Sequence, residues 1–199
     1  MNEDFLKDFE EEVATHFNNG SIRGPIHLYS NNEKSLINIF QHIRDQDWVF
    51  CSWRSHYQCL LKGVDREELM ASILDGKSIS LNFPKHKVYS SAIVGGSSPW
   101  AVGVAISIKE RGVDQHVFCF IGDMTSETGI LQTCIAYSST HDLPITFVIE
   151  DNNSSVMTNT RKVWNSDNLR YQQIPNKNVI SYNYQSKWPH AGAGKRVQF

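Results

Sequence analysis

His116–Asn153 reads HVFCFIGDMTSETGILQTCIAYSSTHDLPITFVIEDNN. It opens on an apolar run, Val117–Ile121, whose shortness and β-branched or aromatic content predict a buried strand. Gly122-Asp123 ends that run. A helical segment follows, with Ile130, Leu131, Cys134 and Ile135 at three- and four-residue spacing. Pro144 punctuates it, and a second apolar run, Ile145–Ile149, stops at Glu150-Asp151-Asn152-Asn153. Strand, crossover helix, strand predicts two parallel neighbours. The fold class expected is α/β, a mostly parallel sheet with flanking helices.

Ligands of open parallel sheets bind beyond the carboxyl ends of the strands. Asp123 stands at one such end and Asn152 at the next, 152 − 123 = 29 positions on. A carboxylate and an amide oxygen brought together there suit a hard cation such as Mg²⁺. A helix starting just after Gly122-Asp123 would turn free N–H groups toward an anion. Together these features describe a diphosphate site. A strand-end Asp with a downstream Asn is, taken alone, also common turn chemistry.

The pattern GD, helix, LP, apolar strand, E-[ND]-N resembles the diphosphate-binding motif of thiamine diphosphate enzymes. It is most similar to the alpha subunits of two-subunit 2-oxoacid dehydrogenases and transketolase-like enzymes. Three upstream blocks extend the resemblance over most of residues 5–160: IRGPIHLY (22–29), WRSHYQCLLKG (53–63) and AIVGGSSPWAVGVA (92–105). The resemblance implies thiamine diphosphate with Mg²⁺, Mn²⁺ or Ca²⁺ as cofactors. Metal ligands would be Asp123, Asn152 and the Ser154 carbonyl. Arg54 would contact the diphosphate, Gly122, Asp123, Met124, Thr125 and Asn152 would surround it, and Ala92 and Val94 would meet the aminopyrimidine ring. His56 would face the reacting centre as the catalytic residue. Met124 departs from the family, where Gly is commonest; a positive φ there would strain it.

The resemblance also implies what lies elsewhere. The Glu that activates the pyrimidine comes from a second domain, on the beta chain in two-subunit members. A shortened alpha-type subunit is therefore expected, within a heterotetramer, acting on a small 2-oxoacid or ketose by decarboxylation or two-carbon transfer. The alternative is a non-catalytic paralogue serving as scaffold or binding module.

Composition sets the outer bounds. At 199 residues, 40% hydrophobic and 20% charged, the chain reads as an ordinary globular protein. A net charge of −2 gives no electrostatic case for nucleic acid or membrane. The four cysteines lack metal-ligand spacing and read as buried thiols. An acidic N-terminus and the lack of a long apolar segment predict a cytoplasmic location.

Along the chain, Phe5, Phe9, Val13 and Phe17 mark an amphipathic helix ended by Gly20. A second helix is expected over 33–44, a strand over 47–50, and a helix capped by Asp65 that runs to Leu74. Residues 77–91 read as a loop, and Ser98-Pro99 opens another helix. The division expected is an α/β domain over 1–160 and an extended arm over 161–199. The first helix's aromatic stripe, with Tyr182, Tyr184 and Trp188, is expected to cover a subunit interface.

Overall fold

The computed structural model describes residues 1–194. Glu3–Asn18 (α1) begins where the Asn2 side chain accepts from Phe5 N at 3.0 Å, and it ends just before Gly20 at φ +74°. Glu33–Phe40 (α2) is shorter than its periodicity suggests. The reason is Asp47, whose buried carboxylate accepts from Arg44 N, Arg44 Nε and His116 N at 2.9–3.1 Å. That knot unwinds residues 41–44 and turns the chain into Trp48–Cys51 (β1). His56–Leu61 (α3) and Arg66–Leu74 (α4) follow, the latter capped by Asp65 as expected.

The stretch expected as a loop contains Asn82–Phe83 (β2), a 3-10 turn at Pro84–His86, and Val88–Ser90 (β3). Strands of two and three residues carry too little alternation to be legible; β3 exists because β1 pairs with it, Val49 opposite Val88. Ser97–Arg111 (α5) leads to Val117–Gly122 (β4), Asp123–Ser126 (α6), Gly129–Thr140 (α7) and Ile145–Asp151 (β5). Then come a hairpin of Ser154–Ser155 (β6) and Thr158–Asn159 (β7), the short helices Thr160–Trp164 (α8) and Arg170–Gln173 (α9), and Val179–Asn183 (β8).

The main sheet has the order β2-β3-β1-β4-β5-β8, parallel throughout except for β2. Strand alternation sends side chains into two cores. Phe118, Phe120 and Val148 join α1–α4 on one face, while Cys119, Ile121, Phe147 and Ile149 join α5 and α7 on the other. Phe120 and Phe147 are fully buried, each contributing on the order of 1.5–3 kcal/mol.

Two expectations change here. The residues read as an extended arm supply the sheet's edge strand, β8, and then return over the N-terminal segment, with Gly192 N donating to Ile26 O at 2.9 Å. The aromatic stripe of α1 is covered within the chain: Phe9, Val13 and Phe17 lie buried in the first core, while Phe5, Tyr182 and Trp188 pack partly buried on it; Tyr184 is also buried, at the strand ends. The large apolar side chains left exposed are others, among them Ile93, Val94, Trp100, Ile130, Met157 and Trp164. All four cysteines are buried free thiols. Among the described residues no helix is long and apolar enough to cross a membrane.

Candidate functional site

The carboxyl ends of β1, β4, β5 and β8 open on one cleft, lined among others by Trp53, Arg54, Asp123, Glu150, Asn152 and Tyr184. Its position follows from the parallel pairing. Gly122 lies opposite Glu150 and Asp151 opposite Asn183, so three strand ends finish level and their following residues converge. The free volume inside is about 40 Å³, room for a few bodies the size of water or an ion.

Asp123 sits at the floor. It is 1% exposed, and its Oδ2 has no hydrogen-bond partner. Burial, opposed by the nearby buried Thr160 hydroxyl and reinforced by repulsion from Asp151, pushes its carboxyl up to about 6. A buried carboxylate oxygen left without a donor is costly unless a cation meets it. Asn152 follows β5, its amide Nδ2 3.4 Å from the Tyr184 hydroxyl and its Oδ1 accepting from Ser154 N at 3.1 Å. Ser154, Gly122, Met124 and Thr125 also line the cleft.

The helix expected to start at Asp123 is interrupted. The four-residue α6 ends at Glu127, and Thr128 caps α7 afresh. Gln132 Nε2 holds the break by donating to Ser126 O at 2.6 Å. A turn this short presents local N–H groups rather than the dipole of a long helix. Met124 falls in its right-handed part, absent from the positive-φ residues, so its side chain is unstrained; Trp164 Nε1 donates to its sulfur at 3.3 Å.

Arg54 reaches the cleft from the segment after β1. Its Nη1 lies 3.4 Å from the Tyr184 hydroxyl, its guanidinium lies over the Tyr29 ring, and its Nε is buried without a partner. Behind it Glu150 is 4% exposed and accepts from Tyr29 at 2.8 Å, Tyr182 at 2.5 Å and Gln58 at 3.2 Å. Burial outweighs those donors and raises its carboxyl to about 7. Asp151 points elsewhere, held by Arg161 at 2.7 Å and Tyr171 at 2.6 Å.

His56 is not at the cleft. It is fully buried as the first residue of α3, with Nδ1 2.9 Å from Glu10 Oε2 and Nε2 2.8 Å from Ser78 Oγ. The other carboxylate oxygen of Glu10 accepts from Tyr29 N at 3.0 Å. Ala92 and Val94 lie in the exposed bend after β3, outside the residues that line the cleft. Sequence reasoning missed Glu150, Tyr184, Trp53 and His190. Only proximity to the motif could have pointed to the first, and Tyr184 and His190 depend on how the tail returns.

His27 and His190 form a rim with Trp53, and His27 Nδ1–H donates to His190 O at 2.6 Å. Burial, with Arg54 nearby, lowers His27 to about 4. Its folded form therefore resists protonation that the unfolded chain accepts near 6.5, so stability falls as pH drops from 6.5 toward 4. Denaturant melts at pH 7.5 and 4.5 should show His27→Asn losing about 2–3 kcal/mol less than the unaltered chain over that interval. Equal losses would refute the buried neutral state.

Among the described residues no three His, Cys, Asp or Glu side chains converge as a metal cluster. The cleft instead offers one carboxylate, one amide and main-chain oxygens, a set suited to a hard cation shared with an anionic ligand.

The family model described as "Dehydrogenase E1 component" matches residues 1–179. The chain is 31% identical over 157 residues to the alpha subunit of acetoin:2,6-dichlorophenolindophenol oxidoreductase from Cupriavidus necator, covering 74% of this chain and 47% of that one. The same subunit from Bacillus subtilis is 28% identical over 158 residues, with coverage of 74% and 47%. The pyruvate dehydrogenase E1 component subunit alpha of Porphyra purpurea is 28% identical over 169 residues, with coverage of 75% and 49%. The chain thus spans about half the length of the curated relatives it matches. A solved structure from Mycobacterium smegmatis overlaps 67% of the chain and 22% of its own at TM-score 0.44 and 22% identity, a likeness that leaves the assignment to the sequence matches.

Proposed function

The chain belongs to the dehydrogenase E1 component family, and from that premise we propose that it is an alpha-type subunit that binds the diphosphate of thiamine diphosphate through a divalent cation. The observation that supports this most directly is the buried, unpartnered Oδ2 of Asp123 at the floor of a cleft shared with Arg54 and Asn152. Asp123, Asn152 and the Ser154 carbonyl would hold Mg²⁺, Mn²⁺ or Ca²⁺, oxygen ligands for a hard cation. Gly122, Met124 and Thr125 would border the phosphates. Arg54 would bind them by charge-assisted hydrogen bonds, its Nε being free to do so. Ala92 and Val94, exposed after β3, would meet the pyrimidine end. His56 would serve the reacting centre through the α1–α3 packing that it secures.

When bound, the cofactor supplies a carbanion-stabilising centre; the chain supplies orientation and charge. The substrate class would be a 2-oxoacid or ketose. A beta-type partner would bring the activating Glu, giving a heterotetramer whose contact surface includes exposed Ile93, Val94 and Trp100. Residues 1–160 would form the cofactor domain, with β8 closing it at the edge of the sheet. A cytoplasmic location fits this role.

Calorimetric titration with thiamine diphosphate and Mg²⁺, with and without a beta-type chain, tests the reading. Binding abolished by chelation is expected, with turnover appearing only when both chains are present. Arg54→Ala should weaken binding by about 1.5–3 kcal/mol, roughly ten- to a hundredfold. Affinity indifferent to Mg²⁺ would refute the site.

A further inference from the structure

Tyr184 closes the cleft from the edge of the sheet. Its backbone N–H donates to Asp151 O at 2.9 Å just beyond β8, which fixes the residue beside the end of β5. The ring is 8% exposed. Its hydroxyl oxygen lies 3.4 Å from Arg54 Nη1 and 3.4 Å from Asn152 Nδ2, so two donors from two different strand ends converge on one oxygen. Both contacts are long, and the phenol's own hydrogen is committed to neither, since in both the phenol accepts. A phenol is protonated at neutral pH, so that hydrogen is available to donate.

We propose that Tyr184 is a third anion-binding residue of the cleft, donating its phenolic O–H to a phosphate oxygen held between Arg54 and the Asp123–Asn152 pair. This rests on the diphosphate reading above and adds to it a residue from outside the motif. The physical case is complementarity. Arg54 and Asn152 surround the phenol oxygen as they would an anionic oxygen, and Tyr184 lines the same cleft as Asp123. A small rotation would exchange two long accepted bonds for one donated to a charged acceptor, the stronger kind. β8 is thereby part of the site: its parallel pairing to β5 sets the hydroxyl's reach.

The test is calorimetric titration of the full 199-residue chain with inorganic pyrophosphate in excess Mg²⁺, using the unaltered protein, Tyr184→Phe and Asp123→Asn. Tyr184→Phe keeps the buried ring, and its melting temperature should stay with that of the unaltered chain. Its affinity should fall roughly tenfold, the effect of one hydrogen bond to a charged group. Unchanged or tighter binding by Tyr184→Phe, while Asp123→Asn loses binding, overturns the Tyr184 role and leaves the metal site standing. Undiminished binding by Asp123→Asn overturns the reading beneath it, and the Tyr184 role with it. A fluorine label on the ring at position 184 gives a second readout on the native fold: its ¹⁹F resonance should move on adding magnesium pyrophosphate, and a resonance that stays put also overturns the proposal.

Discussion

Asp123→Asn is expected to remove magnesium-dependent thiamine diphosphate binding and, at the same time, to stabilise the ligand-free chain. The two effects have one cause. The Asp123 carboxylate is buried with Oδ2 unpaired, and burial raises its pKa to about 6. A folded-state value above the unfolded one means that the group's contribution is most favourable below about pH 4 and is lost as pH rises through 6. At pH 7.5 the ionised carboxylate therefore costs the empty fold up to about 3 kcal/mol, which the near-isosteric amide relieves in large part. The same charge is what a divalent cation meets, so its loss should weaken binding roughly a hundredfold or more, about 3 kcal/mol. Below pH 6 protons compete with the metal, and the apparent affinity of the unaltered chain should fall about tenfold per pH unit. Thermal melts with and without Mg²⁺ and cofactor read both halves. A variant that melts lower when empty, or binds as before, would contradict the assignment.

The second large effect concerns His56→Ala, which should destabilise the fold by about 3–5 kcal/mol. The imidazole is fully buried and bonded on both nitrogens, to Glu10 and to Ser78. Removing it leaves a buried carboxylate short of a donor and opens a cavity between α1 and α3, the situation in which breaking a buried pair is most expensive. Glu10→Gln, which keeps an acceptor for Tyr29 N, should cost less. Urea unfolding of the two variants makes the comparison. A His56→Ala chain of normal stability with lost turnover would instead restore the histidine to direct chemistry.

These two residues show where sequence reading reached and where it stopped. The βαβ core over Val117–Asp151 was legible because the period of the apolar positions and the crossover rule are local properties, and the parallel pairing with its ligand end followed from them. Asp123 and Asn152 were legible for the same reason: they terminate strands whose register is set by burial, and both reach the cleft. Arg54 was found through a block that resembles a family, and it too lines the cleft. The role expected of His56 came from that same block, yet its surroundings are Glu10, from forty-six positions earlier, and Ser78, from twenty-two later. No local pattern encodes such a meeting.

The sheet's edges show the same division. β3 and β8 are short or polar, with no period strong enough to read, and they form because β1 and β5 present unpaired backbone groups that must be satisfied. Once β8 docks, Tyr184 arrives between Arg54 and Asn152, and the tail folds back until His190 rims the cleft. The sequence by itself determined the α/β class, the central parallel strands and the acid–amide pair at their ends, because these depend on burial period and chain direction. Only the tertiary structure decided which residues surround that pair, because long-range backbone pairing and the burial of Glu10, Glu150 and their partners join segments that share no local pattern.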